Sequence, residues 1–377
     1  MVIAPASVAQ DFSRASAAMR LAVLSSGLPA AGLKRGGIER IAHVMAQGLA
    51  ERGHHVVVFS HDEAPAGSAY DVKPLPWKSF VNTWLGRRLT FGYLGNILAL
   101  LPDISDFDAV IAHGDSLLLP LKRKPVLRVM HGSALREALH ASSPGRAALQ
   151  IGVYVQELLT AILERGTVAV SENTRRDNPF VHQVIANGVD TRIFRPFAGA
   201  KTVRPSIVYV GAVDGRKQGK FLLDVFTNVV RPAHPDAELM FVGTPGPAVP
   251  GVSYHTGIDD VALASLYNRA WVYASPSTYE GFGLPYLEAM ACGTAVVATP
   301  NPGSAEVLAG GRYGRLADRD EFGAAIVELL SDAGRRRAWE GEGVRRARQL
   351  SSEIMVEQYE ALLRRLTQSD ARRIATA

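Results

Sequence analysis

The sequence predicts an α/β protein made of two doubly wound, Rossmann-like domains that face each other across a cleft. Short apolar segments alternate with helical stretches along the chain, a pattern typical of parallel sheets covered by helices on both faces. The alternation restarts after Asn187, and 377 residues are more than one hydrophobic core usually supports. Ligands of such sheets bind at the carboxyl ends of the strands, so the cleft between the domains is the expected site.

The first domain is predicted at residues 20–195, after a loose N-terminal extension over residues 1–19. Its candidate strands are residues 21–25, 56–60, 109–112, 126–130 and 168–171. The helix that follows the first strand is expected to bury one face, because hydrophobic residues recur there at helical spacing. This face consists of Ile38, Ile41, Ala42, Met45 and Leu49.

The second domain is predicted at residues 206–350, after a polar, proline-flanked linker at residues 196–205. Its candidate strands are residues 207–210, 239–242, 272–275 and 295–298. The last segment of the chain is residues 351–377.

Composition favours a soluble globular enzyme. Hydrophobic residues make up 47% of the chain and charged residues 20%, which excludes a disordered protein. The single cysteine, Cys292, cannot form an internal disulfide and fits a reducing compartment. No apolar run reaches the length of a membrane span, and residues 1–18 lack the features of a signal peptide. We therefore expect a cytoplasmic protein.

The net charge of +5 is mild, although arginines cluster at residues 335–337 and 345–348. Such clusters are interpreted as solvated helix faces. We expect no nucleic-acid partner, and peripheral contact with the inner face of a membrane stays open.

The segment SPSTYEGFGLPYLE, residues 275–288, is the most informative part of the chain. It sets two carboxylates, Glu280 and Glu288, around a Gly-Phe-Gly turn between a predicted strand and a predicted helix. The backbone N–H groups of such a turn, together with the helix dipole, favour a bound anion. Main-chain donors flanked by two acids can hold a diphosphate and hydroxyl groups on either side of it, as a nucleotide sugar requires.

A basic loop, GAVDGRKQG at residues 211–219, is expected to face the same cleft because it follows a predicted strand. It carries two cations, Arg216 and Lys217. Fixed cations stabilise the charge that grows on a departing diphosphate more in the transition state than before it.

Two further loops are candidates for the site. His131 stands between a predicted strand and Gly132. Gly36 and Gly37 precede the first helix, where the backbone can closely approach a phosphate or an acceptor.

These motifs, in this order, resemble those of the retaining family-4 glycosyltransferases, which have the GT-B fold, and the resemblance covers most of the chain. The matching segments are GGIER at residues 36–40, ERGHHVVVF at 51–59, NGVD at 187–190, FRP at 194–196, the basic loop at 211–219 and the segment at 275–288. The resemblance implies transfer of a sugar from a nucleoside diphosphate sugar to an acceptor hydroxyl, in bacterial-type polysaccharide, lipopolysaccharide or glycolipid synthesis. It also implies that the first domain binds the acceptor and that the second binds the donor. The last segment, residues 351–377, would hold the family's final helix at residues 353–366, which crosses back to the first domain and packs through Ile354, Leu362, Leu363 and Leu366.

The resemblance implies a role for each candidate residue. Glu280 would contact hydroxyl groups of the donor sugar beside its reacting carbon, Glu288 the ribose hydroxyls, and His131 the sugar near its reacting end. The side chain of Phe282 is expected either to pack in the core or to contact the donor. The backbone amides expected to hold the diphosphate and the sugar belong to Gly281, Phe282, Gly283 and Leu284.

The basic loop departs from the family pattern at one position. Gly211 and Lys217 fall where the family has its glycine and its lysine. The family's arginine often follows the glycine directly, and this chain has Ala212 there. We therefore assign the arginine's role to Arg216.

No metal ion or other cofactor is expected, since the donor is a substrate. Two acidic pairs, Asp106 with Asp108 and Asp318 with Asp320, have the spacing of a metal-binding Asp-x-Asp. Strand entry explains the first pair and helix capping the second. The cations and the helix dipole would then stabilise the leaving group without a metal.

The sequence leaves the donor base, the donor sugar and the acceptor open; a saccharide, a lipid-linked compound or another hydroxyl acceptor would fit. The aromatic segment at residues 80–94 is interpreted as an acceptor wall, a membrane-facing surface or a buried amphipathic helix. The alternative functions are a nucleotide-sugar epimerase or a glycan phosphorylase of the same fold, and a two-domain sugar-binding protein without chemistry.

Overall fold

Two parallel sheets, each flanked by helices, organise the chain and confirm the predicted α/β class with two doubly wound domains. The computed structural model describes residues 17–29, 36–75, 100–114, 116–139, 141, 143–164 and 166–376. Most of the predicted N-terminal extension, residues 1–16, and the whole aromatic segment at residues 80–94 lie outside the described residues.

The first sheet is wholly parallel in the described part of the chain. Its strands are β1 (Arg20–Leu24), β2 (His55–Ser60), β3 (Asp71–Pro74), β4 (Ala109–His113), β5 (Val126–Met130), β6 (Gly166–Ala169) and β7 (Gln183–Val184). Their order is β3-β2-β1-β4-β5-β6-β7. The order reverses between β1 and β4, where Leu21 pairs with Ala109 and Leu24 with Ala112. Such a reversal opens a crevice at the carboxyl ends of the strands.

Helices cover this sheet. Those in the described residues are α1 (Gly37–Glu51), α2 (Ala134–Leu139), α3 (Pro144–Leu163) and α4 (Glu172–Arg176). The predicted apolar face of α1 is buried from Ile41 to Leu49. The prediction was wrong for Ile38, which is 43% exposed, because it lies in the first turn, before the part of the helix that packs on the sheet.

The second sheet is also parallel. Its strands are β8 (Ser206–Val210), β9 (Glu238–Val242), β10 (Val252–His255), β11 (Val272–Ser275), β12 (Ala295–Ala298) and β13 (Arg315–Leu316). Their order is β10-β9-β8-β11-β12-β13, so the reversal here lies between β8 and β11. In both sheets the reversal of strand order therefore places loops at the carboxyl edge, and the candidate residues lie in these loops.

The helices of the second half follow the same alternation. They are α5 (Gly219–Val225), which continues through a π-helical turn (Phe226–Val230) and a last short turn (Arg231–Ala233), α6 (Asp260–Arg269), α7 (Leu284–Ala291), α8 (Pro302–Val307), α9 (Phe322–Ser331), α10 (Ala333–Gln349) and α11 (Ser352–Thr376). Short 3₁₀ turns occur at Leu119–Lys122, Gly215–Lys217 and Ala309–Gly311.

The chain passes between the two sheets at two places that pair with each other. The backbone N–H of Val189 donates to the carbonyl oxygen of Leu350 at 3.0 Å, and that of Ser352 donates to the carbonyl oxygen of Val189 at 2.9 Å. Gly188 is required beside this crossing, since a Cβ there would lie 2.5 Å from the carbonyl oxygen of Ser351.

Helix α11 then packs on α1, with Val356 against Gly48. Leu362 and Leu363 are buried, as the resemblance implied. Ile354 is 38% exposed instead, because its neighbours Met355 and Val356 occupy the buried face. The helix also runs beyond its predicted end at residue 366, to Thr376.

Candidate functional site

Glu280 follows β11 at the carboxyl edge of the second sheet, and two cations hold its side chain. Its Oε1 lies 2.5 Å from Nζ of Lys217, and its Oε2 lies 3.0 Å from Nη1 of Arg216. Burial alone would raise the pKa of Glu280, but the neighbouring charges of Lys217 and Arg216 outweigh burial and leave this pKa below its ordinary value. Glu280 is therefore a carboxylate at neutral pH.

Tyr209, which is buried in β8, holds the basic loop in place. The Tyr209 hydroxyl donates to the carbonyl oxygens of Ala212 and Lys217, at 2.8 and 3.0 Å. A Cβ at Gly211 would lie 2.3 Å from this hydroxyl oxygen, so the position requires glycine. Tyr209 was not predicted from the sequence, because a buried strand tyrosine gives no local signal of what its hydroxyl reaches.

Arg216 lies in one cluster with Lys217 and Glu280. Its Nη1 donates to the carbonyl oxygen of Tyr279 at 2.6 Å as well as to Glu280. Its own carbonyl oxygen accepts a hydrogen bond from the backbone N–H of Thr278 at 2.9 Å. These contacts place the guanidinium beside the carboxylate, while its role in the reaction stays a prediction.

The Gly-Phe-Gly turn leads from Glu280 into α7. Gly283 has φ 95° directly before the helix begins at Leu284, a left-handed conformation that favours glycine. Phe282 is 5% exposed and packs in the hydrophobic core, which favours packing over recognition for its side chain. The turn also requires Gly303 at the start of α8, where a Cβ would lie 2.6 Å from the carbonyl oxygen of Phe282.

Glu288 is only 1% exposed on α7, and both of its carboxylate oxygens are occupied. Oε1 accepts from Nη1 of Arg40 at 2.7 Å, and Oε2 accepts from the Tyr267 hydroxyl at 3.1 Å. Burial raises the pKa of Glu288, and Arg40 opposes this rise only in part. Arg40 was not predicted as a site residue, although it ends the GGIER motif.

His131 lies after β5 and is paired with a second histidine, His113, at the end of β4. His113 Nδ1 and His131 Nε2 are 2.8 Å apart, and the two ring planes are inclined by 23° with centroids 5.1 Å apart, so the rings meet edge to edge. His113 was missed, yet it precedes Gly114 just as His131 precedes Gly132. Two His-Gly pairs at the ends of adjacent parallel strands would have been a usable signal.

The loops of the two domains meet across the cleft. A Cβ at Gly281 would lie 3.0 Å from the carbonyl oxygen of His131, and a Cβ at Gly37 would lie 3.5 Å from Cδ1 of Leu284. Gly36 is the N-cap residue of α1 and has an extended conformation. The structure therefore brings together the first-domain loops and the turn after Glu280.

The acidic pairs lie elsewhere. Asp108 Oδ2 accepts from the backbone N–H of Arg20 at 2.7 Å, at the entry to β4. The predicted capping by the second pair was wrong, since the N-cap residue of α9 is Glu321 and no side-chain cap forms there. Among the described residues, no group of three or more His, Cys, Asp or Glu side chains is placed to hold a metal ion.

None of the helices in the described part of the chain combines the length and the apolar composition that crossing a bilayer requires.

Comparisons with known proteins agree with this geometry. Residues 35–193 match the family model described as "Glycosyltransferase Family 4", and residues 204–332 match the one described as "Glycosyl transferases group 1". The phosphatidyl-myo-inositol mannosyltransferase of Mycolicibacterium smegmatis is 27% identical over 335 residues, which cover 79% of this chain and 82% of that protein.

Two solved structures share the fold. Sucrose-phosphate synthase from Thermosynechococcus elongatus has a TM-score of 0.77 at 21% identity, over 93% of this chain and 100% of that one. Anabaena HepE in complex with UDP and glucose has a TM-score of 0.68 at 17% identity, over 91% and 98%.

The fold, the motifs and these matches define a glycosyltransferase of the GT-B class. The chain belongs to the group 1 glycosyltransferases, as its motifs predicted. The epimerase, phosphorylase and sugar-binding alternatives are not favoured.

Proposed function

We propose that this glycosyltransferase moves a sugar from a nucleoside diphosphate sugar to an acceptor hydroxyl with retention of the anomeric configuration, and that it uses no metal ion or other cofactor. The observation that carries the proposal is the cluster of Lys217, Arg216 and Glu280 beside the Gly-Phe-Gly turn. Two cations and a row of backbone amides suit a diphosphate. A buried, ionised carboxylate suits the hydroxyl groups of the sugar.

Relatives support this choice of substrates. HepE forms a complex with UDP and glucose, and the M. smegmatis relative is named a phosphatidyl-myo-inositol mannosyltransferase. We accordingly propose a saccharide or a lipid-linked hydroxyl compound as the acceptor, in polysaccharide, lipopolysaccharide or glycolipid synthesis. The proposed location is the cytoplasm, with peripheral contact at the inner face of the membrane when the acceptor is a lipid.

In the proposed reaction the bond between the anomeric carbon and the diphosphate oxygen breaks, and the acceptor oxygen bonds to the same face of that carbon. The acceptor proton passes to the departing phosphate oxygen. Lys217 and Arg216 stabilise the charge on this leaving group more in the transition state than in the ground state. Glu280 holds the sugar hydroxyls and favours the positive charge that develops at the sugar ring.

The cluster is preorganised for this task. Lys217 has three N–H donors and Arg216 has five, so each can remain bonded to Glu280 while it binds a phosphate oxygen. The Tyr209 hydroxyl keeps the loop in place through the carbonyl oxygens of Ala212 and Lys217. Little reorganisation is then needed when the diphosphate arrives.

Ribose binding at Glu288 requires a change of partners. The carboxylate is 1% exposed and accepts from both Arg40 and Tyr267. We infer that the donor displaces Arg40 from Oε1, which loosens the contact between α1 and α7 and admits the ribose.

The test has two stages. A thermal-shift screen of nucleoside diphosphates selects the donor base, because a ligand that binds only the folded protein raises its melting temperature. Transfer from the matching α-linked nucleoside diphosphate sugars is then assayed, and proton NMR gives the anomeric configuration of the product. An α product supports the proposal, whereas a β product, or no transfer from any of these donors, contradicts it.

A further inference from the structure

His113 and His131 are paired at the carboxyl ends of two adjacent strands of the first sheet. The sheet sets their separation, because β4 and β5 run side by side with His113 paired to Val129 and His131 following one residue after the end of β5. His113 is 8% exposed, and its Nε2 is buried without a hydrogen-bond partner among the described residues. Its Nδ1 lies 2.8 Å from His131 Nε2.

The pair is neutral at pH 7. Burial lowers the pKa of His131 to about 4, and burial together with His131 lowers the pKa of His113 well below its ordinary value. Two neutral imidazoles joined through facing nitrogens share one proton at that contact.

The buried Nε2 of His113 decides between the two arrangements. If His131 donated from Nε2, His113 would carry its own proton on Nε2, as a buried N–H without an acceptor among the described residues. If His113 donates from Nδ1, only a lone pair is left unpaired at its Nε2. Buried N–H groups without partners are rarer than incompletely paired acceptors, so the second arrangement is favoured.

We propose that His113 is a positioning residue: it donates from Nδ1 to His131 Nε2 and so holds His131 in the tautomer that carries its proton on Nδ1. His131 then offers an N–H donor to the donor substrate, beside Gly281 and the turn that follows Glu280. The inference about the substrate rests on the proposed function, whereas the tautomer itself does not.

The chain offers variants that separate positioning from simple packing. In His113→Asn the short amide can place an N–H near the original Nδ1 and keep the donor. In His113→Asp the side chain has similar size but, when ionised, only accepts, so His131 must donate from Nε2. His182→Asn, at an exposed histidine, is the matched control.

The first readout is ¹⁵N NMR of the His131 ring in the unliganded full-length protein, assigned with a His131→Asn variant. We expect protonated Nδ1 and bare Nε2 in the wild type and in His113→Asn, and the reverse in His113→Asp. A wild-type His131 protonated on Nε2 would overturn the proposal.

The second readout is sugar transfer at saturating donor. His113→Asp should lower kcat about tenfold or more with little change in donor KM, and His113→Asn should keep kcat within about threefold of the wild type. Equal kcat values for the two variants would overturn the positioning role. Because the NMR measurement needs no substrate, it still decides the tautomer if the wild type transfers no sugar, a result that would count against the proposed function instead.

Discussion

Arg40 of α1 donates from Nη1 to Oε1 of Glu288 in α7 at 2.7 Å, and this contact joins the first domain to the second. Arg40 also reaches Asp260 at 3.2 Å. Burial raises the pKa of Glu288 in spite of Arg40, so the charge of this carboxylate depends on the cation from the other domain. Closure of the cleft and the state of the proposed ribose site are therefore coupled.

Replacing Arg40 by Gln should lower the free energy of unfolding by about 2–4 kcal/mol, because a buried carboxylate loses its cation. The double variant Arg40→Gln/Glu288→Gln should lose less than the sum of the single losses. Urea unfolding measures all three. The control is Arg204→Gln, since its exposed pair with Glu238 should contribute less than about 1 kcal/mol. Additive losses, or equal effects for the two arginines, would show that Arg40 does not stabilise the fold through Glu288.

The two cations of the basic loop should act on one diphosphate. Arg216→Ala and Lys217→Ala should each lower kcat strongly, and the double variant should cost less than the sum, because neighbouring contacts are not additive. Ala212→Arg combined with Arg216→Ala should recover part of the loss. Transfer is measured to a fixed acceptor at saturating donor. Full turnover in Arg216→Ala would show that Lys217 alone supplies the charge.

The histidine pair predicts sensitivity to acid. The pKa of His131 is lowered to about 4 and that of His113 is lowered as well, whereas both titrate near about 6.5 in the unfolded chain. The unfolded state therefore takes up protons first as the pH falls. The contribution of this pair to the free energy of unfolding is fully present above about pH 6.5. It decreases toward pH 4, by at most about 1.4 kcal/mol per pH unit for each histidine.

Denaturant unfolding at several pH values between about 7.5 and 4.5 checks this slope. The double variant His113→Asn/His131→Asn should show a shallower loss than the wild type, and His182→Asn should not. Identical slopes in the double variant and the wild type would mean that the pair does not set the acid sensitivity.

Sugar transfer should continue in excess chelator, because Lys217 and Arg216 supply the positive charge at the proposed leaving group. The rate is compared before and after treatment with EDTA and after addition of magnesium or manganese. Loss of transfer in EDTA with recovery on adding either metal would refute the metal-independent proposal.

The central strands were predicted because both of their faces are buried, which makes them continuous apolar runs. The edge strands were not predicted, because they are short and carry polar residues such as Asp71, Gln183 and Arg315; these strands are β3, β7, β10 and β13. The exposure of Ile38 in the first turn of α1 could likewise not be predicted from the sequence, since helical spacing does not show where the sheet beneath a helix ends.

Some residues of the site could be predicted from the sequence and others could not. Glu280, Lys217 and the turn glycines stand in short motifs, and the structure brings them to one place. His113 could have been found from its His-Gly pair, whereas Arg40 contacts Glu288, which lies far away in the sequence and in the other domain. The contact of Arg40 depends on domain closure, which local patterns do not encode.

We expect Glu280, held ionised by Lys217 and Arg216, to stabilise the transition state of sugar transfer. The most direct measurement is the single-turnover rate of Glu280→Gln at saturating donor, with Glu353→Gln at an exposed helix position as the control. The activation barrier should rise by about 2–4 kcal/mol in Glu280→Gln, with donor binding much less affected. A rate close to that of the wild type, with the donor still bound, would contradict it.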